Sequence, residues 1–466
     1  MTPLRWICGA ALVTIVSLTG AIVTARRAGA DSPLPAALTF SNPAGVLGTL
    51  TTAGSFEGDN PFFADLGTNG RTCATCHRPA QGWSITPGEI AERFERTAGL
   101  DPIFRANDGS NCEAADLSTV EQRRRSFSAL IGKGLIRVAR DVPPDAEFEI
   151  VAVDDPYRCG TPLTSASMYR RPLPTTNLSF LSAVMWDGRA SAPGRAIKED
   201  LVAQAIDATV GHAQGAAPTP AQLRAIVDFE LGLATAQVRD HGAGSLAAAG
   251  ARGGPATMTR QPFCIGINDP LGMRPSMPGA CLAPTRTFDP VVFTLFGPWQ
   301  DAGNPERQAI ARGEAIFNTR RFVIDNVPGL NGVDGDPVTG PIRTGTCTLC
   351  HDTPNAGNHS VPMALNIGLT DASRRTADLP LYTLRNKLTA DLVQTTDPGR
   401  AMITGKWKDI AKFKGPVLRA LAARPPYFHD GSAATLADVI AFYDKRFALQ
   451  LTDREKADLF AFLRAL

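Results

Sequence analysis

Histidine is scarce in this chain: 6 residues in 466, beside only 5 tryptophans and 5 tyrosines. Chemistry that depends on imidazole therefore has few places to sit. Net charge is nearly absent, at +2. That balance argues against a nucleic-acid partner, which would need a concentrated basic surface, and against a strongly acidic one. Beyond about Val23 no apolar run is long enough to span a bilayer. Membrane anchoring by an internal segment is therefore not expected. No repeat of solenoid length occurs, which excludes a stacked-repeat architecture.

What is present is a short motif that occurs twice. Cys347-Thr348-Leu349-Cys350-His351 is a C-x-x-C-H sequence, the attachment signature of c-type haem. Its upstream copy is Cys73-Ala74-Thr75-Cys76-His77. In such motifs the two thiols bond to the porphyrin and the adjacent imidazole binds iron from the proximal side. Two complete copies predict two covalently bound c-type haems, with His77 and His351 as iron ligands. The sixth position over each iron decides between electron transfer and reaction with a small oxidant. His212, His241, His359, His429, the methionines and the tyrosines are the remaining candidates for it.

The N-terminus reads as an export signal spanning residues 1–30. Arg5 precedes an apolar run from about Ile7 to Val23, and Ala28-Gly29-Ala30 is a cleavage-like site, so the mature chain begins at Asp31. An uncleaved anchor is the alternative, because Arg26-Arg27 follow the run rather than precede it. Of 9 cysteines, four belong to the haem motifs, and Cys8 lies in the signal. Cys112, Cys159, Cys264 and Cys281 remain. Export to a periplasm-like compartment predicts two disulfides, most simply Cys112–Cys159 and Cys264–Cys281, though three pairings are possible.

Length predicts at least two domains, and 43 glycines and 36 prolines predict long irregular connections. Residues 31–69 read as mostly loop. Helices are expected over Pro87–Thr97, Ile197–Thr209 and Thr219–Arg239, and a short strand over Glu147–Val153. Residues 241–260 read as an exposed loop. A boundary near Gly303 is followed by a helix capped at Asn304 and ending near Phe317. Thr452-Asp453-Arg454-Glu455 is a capping box that opens the last helix. The expected fold is mainly α: two cytochrome c-like haem domains, 31–303 and 304–466, with long loops and insertions. In the helical stretch after Thr435, Tyr443 shares a face with Leu436, Val439 and Ile440. Spacing alone favours a core tyrosine whose hydroxyl finds a backbone partner over an iron ligand. Met402 is a competing ligand.

Several motifs together resemble the bacterial dihaem cytochrome c peroxidase family and its MauG branch. They are the two haem sites, Trp186-Asp187-Gly188-Arg189, Pro426-Tyr427-Phe428-His429-Asp430-Gly431, Asn366-Ile367-Gly368-Leu369, and Asp397-Pro398-Gly399-Arg400 with Thr404-Gly405. The likeness covers most of residues 60–240 and nearly all of 305–466, leaving about 100–165 and 241–300 as apparent insertions. It implies that hydrogen peroxide reacts at the N-terminal haem and that the C-terminal haem stores or relays electrons. It implies that Trp186 bridges the two. His429 falls beside the second cofactor, and Tyr443, fourteen residues on, falls where the family places the sixth ligand of the second iron. The family's distal carboxylate maps onto Asp207, with Gln204 and His212 as rivals. No histidine lies between His77 and Trp186, so the family's displaceable distal histidine is missing. The resemblance further implies a small redox donor, a cytochrome c or cupredoxin, or a protein substrate oxidised in its place. It also implies an inter-domain calcium ion, for which Asn331–Asp336 is a weak candidate and a polar turn the plainer reading. A dihaem electron carrier and a dioxygen-using enzyme of the rubber-oxygenase type are the rival readings.

Overall fold

A computed structural model of the chain describes residues 37–53, 56, 58–272, 278–281, 288–331 and 344–466. The export signal, the start at Asp31 and residues 332–336 of the candidate calcium loop lie outside the described residues. Within them, no helix is long and apolar enough to cross a membrane.

The chain is mixed α/β rather than mainly α: helix takes 31% and strand 17%. The difference arises where irregular backbone was expected. Ala37–Asn42 and Gly45–Thr51 form an antiparallel hairpin, and Leu233–Asp240 pairs with its second strand. The side chain of Asn42 accepts from the backbone of Ala44 and Gly45 at 2.9 and 3.0 Å and closes the turn. The helix expected to run to Arg239 stops at Gly232. Beyond it come Thr235 and Val238, branched residues that suit an extended strand, and the open edge of Gly45–Thr51 supplies the partner.

A second sheet joins the two halves of the chain. Phe148–Asp154, matching the expected strand, pairs with Leu381–Asn386, which pairs with Leu392–Thr395. Ile136–Asp141 and Ser165–Arg170 form a separate ribbon. The disulfides Cys112–Cys159 and Cys264–Cys281 both form.

The expected exposed loop at 241–260 is instead partly core. Ala243, Leu246 and Ala251 are buried with Phe296, Trp299 and Phe462. Small residues there mark close packing rather than solvent. Asn304 caps the helix Pro305–Thr319 by accepting from Glu306 and Arg307 N–H at 2.8 and 3.1 Å. Thr452 and Glu455 form the expected capping box of Asp453–Ala465. These two helices cross at Gly313, where an added Cβ would lie 2.0 Å from the Asp458 carbonyl oxygen. Phe293, Phe317 and Phe462 pack edge-on around that crossing.

Candidate functional site: two cavities with a common wall

Each C-x-x-C-H motif folds as one tight turn. The backbone N–H of His77 donates to Cys73 O at 3.0 Å, and that of His351 to Cys347 O at 3.1 Å. Each imidazole is then oriented from behind. Nδ1 of His77 lies 3.0 Å from Trp83 O, and Nδ1 of His351 lies 2.6 Å from Gly357 O. A carbonyl can only accept, so Nδ1 carries the proton and Nε2 keeps its lone pair. Burial pushes His77 down to about 4 and lowers His351 as well, so both rings stay neutral. A neutral, back-bonded imidazole is the form that ligates a metal.

All four motif thiols are unpaired, while Cys112, Cys159, Cys264 and Cys281 are consumed in disulfides. Cys73, Cys76 and His77 open on a cavity of about 190 Å³ walled by Leu178, Leu181 and Ile226. Cys347, Cys350 and His351 open on a second, of about 210 Å³, walled by Phe317, Ile440 and Leu459. Two thiols and one imidazole on the edge of an apolar cavity fit a covalently tethered porphyrin at each site.

The cavities share a wall made of Arg171, Pro172, Leu173, Trp186, Lys414 and Pro416. Trp186 is fixed from two sides: its indole N–H donates to Arg171 O at 2.8 Å, and its carbonyl accepts from Lys414 N at 2.9 Å. The motifs around it lock together through Arg170, a residue the sequence does not single out. Its guanidinium holds Asp187 at 2.5 Å and grips both oxygens of Asp397 at 2.7 and 2.8 Å. Asp187 is fully buried, and burial alone would raise its pKa. Arg170 and Arg189 outweigh that and hold it well below the usual carboxylate range. The Arg400 guanidinium donates to Asp187 O at 3.1 Å and lies against Gly188 (φ 72°), where an added Cβ would come within 2.7 Å of it. The Trp-Asp-Gly-Arg and Asp-Pro-Gly-Arg stretches are thus two halves of one buried clamp.

His429 lines the second cavity. Its ring stacks on Phe413 with centroids 4.2 Å apart and lies 6.2 Å from the Trp186 ring. Neither ring nitrogen has a hydrogen-bond partner among the described residues. Tyr443 lines the same cavity with Leu436, Val439 and Ile440, as its helical face requires. A core tyrosine would satisfy its hydroxyl on the backbone; the described residues offer this one no partner. Burial raises its pKa, and the nearby Cys350 and Cys347 thiols add to the effect. Met402 is buried with Phe148 and Tyr382 and lines neither cavity.

In the first cavity the helix Ile197–Gly211 presents Leu201, Gln204, Ala205 and Ala208, with His212 at its C-terminal end. Asp207 is exposed and does not line the cavity: helical rotation turns it to the outer side of the face that 204, 208 and 212 share. The carboxylate nearest to His212 is instead Asp108, from the segment that reads as an insertion. Its carboxylate accepts from His212 Nδ1 and, at 2.5 Å, from Arg71. Burial would push Asp108 up, but the His212 hydrogen bond and the Arg71 charge outweigh it and hold the pKa below the usual range. Glu230 also lines this cavity. It is buried, its Oε2 has no partner among the described residues, and burial pushes its pKa up to about 8. Nothing in the sequence places Asp108 here. Glu230 is visible as a lone carboxylate on the apolar face of Leu223, Ile226 and Val227.

No protein-family model matches the chain. Over 140 residues it is 34% identical to the cytochrome-c peroxidase IdrP1 of Denitromonas iodatirespirans, covering 26% of this chain and 36% of that protein. The cytochrome-c peroxidase IdrP1 of Pseudomonas sp. (strain SCT) is 29% identical over 140 residues, with the same 26% and 36% covered. The chain therefore spans about a third, 36%, of the length of the curated relatives it matches. The crystal structure of a MauG-like protein associated with microbial copper homeostasis aligns at 25% identity and a TM-score of 0.22, over 34% of this chain and 43% of that one. This chain is a distant, partial homologue of the cytochrome-c peroxidases, and that homology implies haem.

Proposed function

We propose that this protein is an exported dihaem c-type oxidoreductase, a peroxidase of the cytochrome c peroxidase and MauG kind. Hydrogen peroxide is reduced at the site built on Cys73, Cys76 and His77. Electrons pass by way of the site built on Cys347, Cys350 and His351. The observation that carries this reading is Trp186, one indole in the wall of both cavities.

Haem, when bound, supplies an iron that takes up peroxide and changes oxidation state. The residues do the rest. His77 and His351 present Nε2 to the metal because their Nδ1 protons are held by Trp83 O and Gly357 O. His212 has Nδ1 engaged by Asp108, so the proton it exchanges is at Nε2. Gln204 orients the small oxidant beside it. Tyr443, which lines the second cavity, would supply the haem iron there with an oxygen ligand or a close neighbour. Residues 31–303 and 304–466 serve as the two haem-holding domains. The electron donor is a small redox protein in the periplasm, or an oxidisable side chain of a partner protein.

Electronic and EPR spectra of the ferric protein, before and after one equivalent of peroxide, test this. The expected result is two unequal haems, one of them reacting. Two unreactive low-spin haems would establish an electron carrier instead. A stable ferrous-dioxygen adduct with no peroxide reaction would establish a dioxygen enzyme.

A further inference from the structure

Arg170 and Arg171 are neighbours in sequence with opposite circumstances. Arg170 is saturated by Asp187 and Asp397. Arg171, only 4% exposed, donates to two backbone carbonyls, Lys133 O at 3.0 Å and Pro425 O at 3.3 Å, and meets no carboxylate among the described residues. Burial and the like charge of Arg424 depress it to about 9. Lys414, 8% exposed, has no anionic partner among the described residues, and burial alone pushes it down to about 7. Arg424 donates only to the carbonyls of Val417 and Arg419.

Uncompensated buried cations cost several kcal/mol each unless an anion arrives or the group gives up its proton. Elsewhere in the interior, carboxylates meet Arg170, Arg71 and Arg93, while Arg137 and Arg419 rest on backbone carbonyls and line neither cavity. Arg171 and Lys414 differ in position: with no carboxylate beside them among the described residues, both line both cavities. The anion open to them is one carried by whatever fills those cavities. Haem brings two propionate carboxylates per molecule.

We propose that Arg171 and Lys414 form a shared anion cradle in the wall, holding one propionate carboxylate from each haem. The inference rests on the dihaem reading above. It adds that the two haems share a cation as well as an indole. A charge held in common stabilises the reduced form of both, so its removal must be felt at both sites.

The test uses the full-length, haem-loaded protein and the variants Lys414→Met and Lys414→Arg. Methionine keeps the length and the apolar stem, so the wall stays packed. Haem content is measured first, then both midpoint potentials by spectroelectrochemical titration, then the propionate bending bands by resonance Raman. The expected result is two haems in every form, potentials that fall at both haems in Lys414→Met, and shifted propionate bands. Lys414→Arg restores the potentials. Unchanged potentials in Lys414→Met, or a fall at one haem only, would overturn the cradle while leaving the dihaem reading intact. Fewer than two covalent haems in the unmutated protein would overturn that reading, and the cradle with it.

Discussion

Glu230→Gln should change how stability depends on pH, and the size of the change follows from the structure. Glu230 is 3% exposed, lies against the apolar first cavity, and has an unpartnered carboxyl oxygen. Burial raises its pKa from the ordinary 4.5 to about 8. The unfolded chain therefore releases this proton at lower pH than the folded chain does. Between those two values the folded state binds more protons, so stability must fall as pH rises. The loss begins near the unfolded pKa, accumulates at about 1.36 kcal/mol per pH unit, and levels off above the folded pKa. Between about pH 5 and about pH 8.5 it amounts to about 4 kcal/mol. Glutamine has the same shape and no ionisation, so the variant should lack this component. The assay is denaturant unfolding of both proteins across that range, read as the difference between them. The variant's advantage should grow by several kcal/mol towards alkaline pH. Parallel profiles would refute the reasoning, because they would mean that Glu230 titrates alike in both states.

Gly313→Ala should destabilise the chain by about 2 kcal/mol or more, since the new methyl meets the Asp458 backbone and neither helix can yield locally; thermal unfolding reads this directly. Asp108→Asn should cost about 3 kcal/mol in denaturant unfolding, because Arg71 loses the one carboxylate it meets among the described residues, in a buried pair. It should also slow the peroxide reaction at the first site while the second site's spectrum stays unchanged. Tyr443→Phe should cost less than about 1 kcal/mol, as the hydroxyl has no partner among the described residues to lose, and yet alter the electronic spectrum of the second haem. An unaltered spectrum would return Tyr443 to a packing role.

The parts of the site that were legible in sequence are those fixed by local geometry. A tight turn followed by histidine needs only five residues, so Cys73–His77 and Cys347–His351 could be read directly. The same holds for Asn304 and Thr452, whose caps act within one helical turn. Gln204 and His212 were within reach because helical spacing puts them on one side. That spacing also excludes Asp207, onto which the family resemblance maps the distal carboxylate. What stayed hidden depends on distant contacts. Asp108 reaches His212 across a separation of 104 residues, and Arg170 reaches Asp397 across 227. The hairpin at 37–51 was missed for a related reason. Its glycines and threonines resemble a loop until Leu233–Asp240 provides the edge they pair with.

The protonation states divide the labour between the two cavities. In the histidines and tyrosines that line the second cavity alone, burial favours the neutral form. Burial pushes His359 down to about 3, lowers His351 and His429, and raises Tyr443. It pushes Tyr427 up to about 12 and leaves Arg424 a cation at about 10. The wall shared with the first cavity adds Lys414, pushed down to about 7, so the second cavity is not without a proton to exchange. The first cavity offers further groups. Its His212 side chain is 45% exposed, so water reaches it, and Glu230, at about 8, holds a proton in reserve. Peroxide reduction consumes protons and electron storage does not. This supports placing the chemistry at His77 and the storage at His351 under the proposed function, on grounds that do not use the order of the motifs in the chain.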